Sequence, residues 1–290
     1  MRRIAVMQAK GGSGKTTTAL CLAVGMARRG LRTLLVDADS QGNASLTMLD
    51  GRPADPPTLG NVLLGQVDAV DAVRPTRIEG LDLMPADARL ADAALLLADQ
   101  IGREHRFRRA LDPIEDDYDA LVVDCPPQLS LVTVNVLAGV GEVVVPVDAG
   151  IYAVSGLGQL NQAVADVREY LGNKSLRVAG LVLTRTHANR ATRDIGEQLR
   201  AAYGPLVYSA SIPHSVKVEE AHARNLTVLE FAPTSAPARA YLELLSEVLG
   251  DGDQQRTGNP GAPLGPDAAD RPDAGPGRRP GRARGGRRAG

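Results

Sequence analysis

Through the first 250 residues, short continuous apolar runs alternate with segments whose apolar positions recur at helical spacing. Ile4–Met7, Thr33–Val36, Leu121–Val123, Val143–Val147 and Val178–Leu183 are rich in Val, Ile and Leu, with no regular polar alternation. Runs of that kind predict strands covered on both faces. Leu20, Ala23, Val24 and Ala27, followed by Arg28, Arg29 and Gly30, predict a helix that ends on a glycine cap. Similar patterns near 87–98, 103–112, 153–170, 190–203 and 235–249 predict further helices. Strand alternating with helix predicts an α/β fold: a doubly wound, mainly parallel sheet flanked by helices. There is no internal repeat and no linker before about residue 250. The expectation is a single domain over 1–250 and a tail over 251–290.

Composition narrows the class. Of the 290 residues, 43% are hydrophobic and 23% are charged, the balance of a soluble globular chain. No apolar stretch approaches the roughly 18 residues that a membrane span needs. The N-terminal residues enter a strand and a Gly-rich loop with no secretory pattern, so a cytoplasmic protein is expected. Cys21 and Cys125 sit in apolar runs and are too few for a disulfide framework or a four-cysteine zinc site. The four histidines, His105, His187, His214 and His222, show no metal-ligand spacing, and solvated or interface roles are expected of them. The net charge of -1 conceals an asymmetry, because the last thirteen residues carry six arginines and no acid. The tail is rich in Gly and Pro, with Leu264 its only large apolar side chain, and is expected to be disordered. Its charge would add salt-sensitive affinity for a polyanion.

The most informative segment is Ala9-Lys10-Gly11-Gly12-Ser13-Gly14-Lys15-Thr16-Thr17, which follows the first predicted strand and opens the first predicted helix. That context makes it a phosphate-binding loop. Gly11, Gly12 and Gly14 let the backbone curl so that successive N–H groups converge, and the helix N-terminus adds its positive dipole end. Ser13 belongs to the same cradle, and Thr17 follows on the first helical turn. Lys15 would reach the β- and γ-phosphates, and the Thr16 hydroxyl would hold Mg²⁺. Of the chain's 33 basic side chains only four are lysines, Lys10, Lys15, Lys174 and Lys217, and two of those four lie in this loop. An ammonium is a compact point charge that fits where a planar guanidinium does not. Asp37, Asp39 and Asp124 follow apolar runs and are expected at the carboxyl edge of the sheet, where α/β folds bind ligands.

Lys10-Gly-Gly-x-Gly-Lys15-Thr-Thr resembles the deviant Walker A motif of the ParA/MinD group of P-loop ATPases. Three further segments agree in order. Leu34-Leu-Val-Asp37-Ala-Asp39-Ser-Gln41 resembles the family's switch I. Tyr118-Asp-Ala-Leu-Val-Val-Asp124-Cys-Pro126-Pro127 resembles its Walker B strand and switch II. Ile212-Pro213-His214-Ser-Val-Lys217 resembles the segment beside the nucleotide base in partition ATPases of the short, Soj-like kind. The resemblance spans about residues 3–249. It implies a P-loop NTPase fold, ATP and Mg²⁺ as cofactors, Thr16, Asp37 and Asp124 around the metal, and Pro213 beside the base. It further implies that Asp39 orients the attacking water and that Lys10 reaches across an ATP-bound homodimer to the partner's phosphates. A slow ATPase is implied, stimulated by a ParB-type centromere-binding protein and driving plasmid or chromosome partition. It would bind DNA non-specifically through Arg185, Arg190, Arg193 and Lys217, and so associate with the nucleoid.

The sequence departs from the family pattern at Ser13, Ser40, Asp148 and His214. Two alternatives remain at this point: a ParA-like ATPase that positions another cargo, and a MinD-like division-site regulator. The second would end in an amphipathic membrane helix, where this chain has an Arg-, Gly- and Pro-rich run, so no stable membrane association is expected.

Overall fold

The computed structural model describes residues 1–149 and 156–251. The tail, Gly150 and the first residues of the helix predicted over 153–170 lie outside the described residues.

Eight strands form one sheet: β1 (Arg2–Val6), β2 (Thr33–Asp37), β3 (Arg74–Pro75), β4 (Leu81–Met84), β5 (Ala120–Asp124), β6 (Glu142–Asp148), β7 (Arg177–Thr186) and β8 (Val207–Pro213). Their order across the sheet is β3-β4-β2-β5-β1-β6-β7-β8. Every pairing is parallel except that of the two-residue β3 with β4. The central strands β2 and β5 are buried along their whole length, as unalternated apolar runs require.

The period of two in each strand divides the core into two layers. Ala5, Leu34, Val36, Leu121 and Val123 face one layer, which is closed by the helices Leu131–Gly139 and Leu157–Tyr170 among others. Ile4, Val6, Leu35, Ala120 and Val122 face the other, closed by α1 (Lys15–Arg28) and the helix Ala236–Leu249. These two helices pack so closely that a Cβ on Gly25 would lie 2.7 Å from Leu245 Cδ2. α1 is buried on nearly every face, because the sheet lies under it and a second helix over it.

The five predicted strands are all present, and β3, β4 and β8 are additions at the two edges. The sheet places the carboxyl ends of β1, β2 and β5 side by side, with Asp37 directly opposite Asp124 in the β2–β5 register. On the other flank the β7–β8 register sets Thr186 opposite Pro213, so the loops after these strands are neighbours.

Candidate nucleotide-binding site

The loop between β1 and α1 is held open by its glycines. Gly12 (φ 71°) and Gly14 (φ 86°) occupy the left-handed region, which other residues enter only with strain, and Gly14 caps the N-terminus of α1. Lys15 opens the helix, and its Nζ donates to the Lys10 carbonyl at 3.1 Å, which folds the side chain back over the loop. Burial lowers its pKa, while the carboxylates of Asp124 and Asp39 pull the other way. A cleft of about 600 Å³ runs beside the loop. Gly11, Gly12, Gly14, Lys15, Thr16, Thr17, Asp39 and Pro213 all line it.

The acidic corner lies at the same edge. Asp37 is fully buried; one of its oxygens accepts from the Asp39 amide at 3.1 Å, the other from the Ser45 amide and hydroxyl at 2.8 Å each. These bonds tie it to the start of the helix Asn43–Met48 (α2), and burial lifts its pKa to about 6. Asp124 is different. It is buried, and among the described residues neither of its carboxylate oxygens has a hydrogen-bond partner. Burial first, and the Asp37 carboxylate second, push its pKa well above the ordinary range, only partly opposed by Thr16 and Lys15. An orphaned buried carboxylate costs several kcal/mol unless a cation meets it. Among the described residues no cluster of three or more His, Cys, Asp or Glu side chains would hold a metal by itself. A cation at Asp124 therefore has to bring other ligands, and the Thr16 hydroxyl and a bound phosphate are the donors this loop offers. The residues present fit magnesium that arrives with a nucleotide. Asp39, half-buried on the wall of the cleft, turns one oxygen to the Gln41 amide at 3.0 Å.

Lys10 does not lie over its own loop. Its Nζ forms a 2.8 Å ion pair with Asp148, the last residue of β6. Gly11 carries no positive φ, and a Cβ built there meets no described residue within 4 Å. Ser13 is buried, and its hydroxyl has no hydrogen-bond partner among the described residues.

On the β7–β8 flank, Arg190 and Arg193 sit in the first turn of the helix Arg190–Tyr203, and Lys217 in that of the helix Val216–His222. Arg190 is 3.8 Å from Asp194 and Lys217 is 2.8 Å from Glu220, both as surface pairs. The two segments are tied by a hydrogen bond from the His214 amide to the Thr186 carbonyl and by stacking of His187 on His214, centroids 4.9 Å apart. Arg185, grouped with these residues by sequence position, lines the cleft and reaches the phosphate loop.

Several cleft residues carry no sequence signal. His222, expected in a solvated or interface role, places Nε2 3.2 Å from the Thr17 hydroxyl, and desolvation lowers its pKa, which favours the neutral ring. Asn43, Val218 and Tyr241 also line the cleft, from elements far apart in sequence. Only the position of His222 five residues beyond the Ile-Pro segment's Lys217, on the same short helix, hints at its place.

Residues 1–178 match a family described as an AAA domain. The chain is 39% identical to the chromosome partitioning protein ParA of Caulobacter vibrioides over 252 residues, 86% of this chain and 94% of that protein. It is 36% identical to the sporulation initiation inhibitor protein Soj of Bacillus subtilis over 250 residues, 86% and 98% of the two chains. Among solved structures, cobyrinic acid a,c-diamide synthase from Mycobacterium smegmatis with bound ATP analog and magnesium superposes with a TM-score of 0.74 at 31% identity, covering 86% of this chain and 94% of that one. Relatedness over most of both chains, together with a two-lysine phosphate loop and an acidic corner in one cleft, establishes that the chain belongs to the ParA family of P-loop ATPases.

Proposed function

We propose that the protein is an ATP-dependent dimerisation switch that hydrolyses ATP slowly, binds DNA non-specifically and drives plasmid or chromosome partition with a ParB-type partner. The observation that carries this reading is the division of labour between the two lysines. Lys15 folds over its own loop, whereas Lys10 is turned aside to Asp148. An ammonium at the head of the loop that does not serve that loop is available to the phosphates of a second protomer. Gly11 supports the same reading, since no described residue crowds it and a glycine there leaves room for the approach of another molecule.

In this account Lys15, the loop amides of Gly12 to Thr17 and the N-terminus of α1 hold the phosphates, and the wall containing Pro213 faces the base. Thr16 and Asp124 hold magnesium, and Asp37 stiffens the corner through Ser45. Bound magnesium supplies charge neutralisation at the phosphates. Asp39 orients a water for attack, and Lys10 from the partner protomer meets the charge that develops on the phosphoryl group. A dimer that needs the γ-phosphate forms with ATP and comes apart after hydrolysis, a ligand-biased two-state switch. Arg190, Arg193 and Lys217 make phosphate contacts with DNA, which carry affinity without sequence information.

ATP hydrolysis by the full chain, with and without DNA and a ParB-type protein encoded beside it, tests the function. Slow basal turnover that rises at least about tenfold with both additions is expected. Turnover indifferent to both would leave a ParA-family ATPase with another cargo.

A further inference from the structure

Arg185 is placed unlike the other basic residues of its flank. It is the penultimate residue of β7 and sits at φ 54°, in the left-handed region, where a long side chain costs about 1 kcal/mol or more. The neighbouring residues explain what holds it there. The Thr184 hydroxyl donates to the Ser13 carbonyl at 2.8 Å, and Arg185 Nη1 donates to the Gly12 carbonyl at 3.3 Å. Two successive residues of β7 thus grip two successive carbonyls of the phosphate loop. Thr184 does so from the buried side, Arg185 from the open side.

The guanidinium is otherwise uncommitted. Arg190 and Lys217 face carboxylates, but Arg185 pairs with none among the described residues. A guanidinium has five N–H donors in a rigid fork, and one bond to Gly12 leaves most of them free. Arg185 lines the same cleft as Lys15, Thr16 and Pro213. The charge balance of that cleft calls for another cation. Asp148 neutralises Lys10, and Lys15 stands among the carboxylates of Asp124 and Asp39. Arg185 comes from the strand beside β8, on the Pro213 side of the loop, away from the acidic corner of β2 and β5.

We infer that Arg185 is a nucleotide residue: its guanidinium binds the phosphates nearest the base, in the protomer that carries it, while its bond to Gly12 anchors the loop. It therefore serves ADP and ATP alike and takes no part in DNA binding. This rests on the cleft being the nucleotide site.

The test uses the full chain and a fluorescent ADP and ATP, with magnesium, at protein concentrations too low for association. Arg185→Asn is the main variant, because Asn tolerates the left-handed backbone and is too short to reach the loop. Arg185→Gln removes the charge and retains an amide, whose nitrogen ends two bonds short of the guanidinium tip. Both variants are expected to lose about tenfold in affinity for each nucleotide, the scale of one charge-assisted contact. At saturating ATP they are expected to bind DNA as the unmodified protein does. Unchanged nucleotide affinity, or weakened DNA binding at saturating ATP, would overturn the inference. So would a loss in Arg185→Asn that Arg185→Gln restores, since the side chain would then only shape the loop. Should Arg185→Asn not fold, Arg185→Gln alone decides. If the unmodified protein binds neither nucleotide, the cleft assignment itself fails; if it binds both and the variants match it, only the role of Arg185 fails.

Discussion

The two flanks of the cleft are built on opposite principles. Around β1, β2 and β5 the charged groups are buried and fixed before any ligand arrives: Asp37 is tied by three hydrogen bonds, Asp124 has none, and Lys15 is folded over the loop. Around β7 and β8 the charges of Arg190 and Lys217 are exposed and meet surface carboxylates, pairs that solvent screens. Chemistry that must place a metal and a water needs the first arrangement. A contact with a phosphate backbone in any register is served by the second. Buried charge is costly and specific, whereas exposed charge is cheap and forgiving.

That contrast predicts where substitutions will be felt, and the largest effects belong to the buried flank. Lys15→Ala should weaken ATP binding by about 100-fold or more, measured by equilibrium titration, because it removes the one ammonium folded over the loop. Asp39→Ala should slow hydrolysis by about 100-fold in single-turnover assays while ATP affinity stays within a few-fold. Equal losses of binding and turnover would place Asp39 in phosphate holding instead.

The third effect concerns stability. Burial lifts the Asp37 carboxyl to about 6 in the folded chain and pushes that of Asp124 well above the ordinary carboxylate range. Between the ordinary carboxylate range and these raised values the folded state binds more protons than the unfolded one. This contribution is fully present at pH below the unfolded value and is lost as pH rises through about 6 and beyond. The nucleotide-free protein should therefore lose thermal stability over that rise. Asp124→Asn should raise its melting temperature at pH 8 by about 3–6 °C and flatten the pH profile, while magnesium-dependent hydrolysis disappears. A variant less stable than the parent without nucleotide would contradict the orphaned carboxylate.

The smallest effects belong to the exposed flank. Arg190→Ala, Arg193→Ala and Lys217→Ala should each weaken DNA binding a few-fold across unrelated sequences and lower the slope of affinity against salt by about one. ATP affinity should not move.

The same contrast governed what the sequence revealed. Buried groups leave local signatures: the glycines that the loop needs at Gly12 and Gly14, and the apolar runs that bury β2 and β5 behind Asp37 and Asp124. The elements missed were those without such signatures. β8 carries Ser209 and Ser211 at the sheet edge, and β4 is four residues long with Asp82 inside it. The helix Leu131–Gly139 is buried on most of its surface, its polar Thr133 and Asn135 included, because it packs under the sheet and against other helices, so it has no solvent-facing polar stripe to set its period. Long-range contacts were illegible for a different reason. Asp148 stood out only as a departure from the family pattern, and it meets Lys10 because β6 lies beside β1. Arg185 was grouped with its sequence neighbours, yet the left-handed turn at the end of β7 sends it to the loop.

The central claim is that Lys10 serves a second protomer. Sedimentation velocity with ATP and magnesium, comparing Asp39→Ala with the double variant Asp39→Ala/Lys10→Ala, tests it most directly, since slow hydrolysis preserves the nucleotide in both. The account predicts a dimer for the first and a monomer for the second, with ATP bound in each. A dimer in both, or a monomer in both, would contradict it.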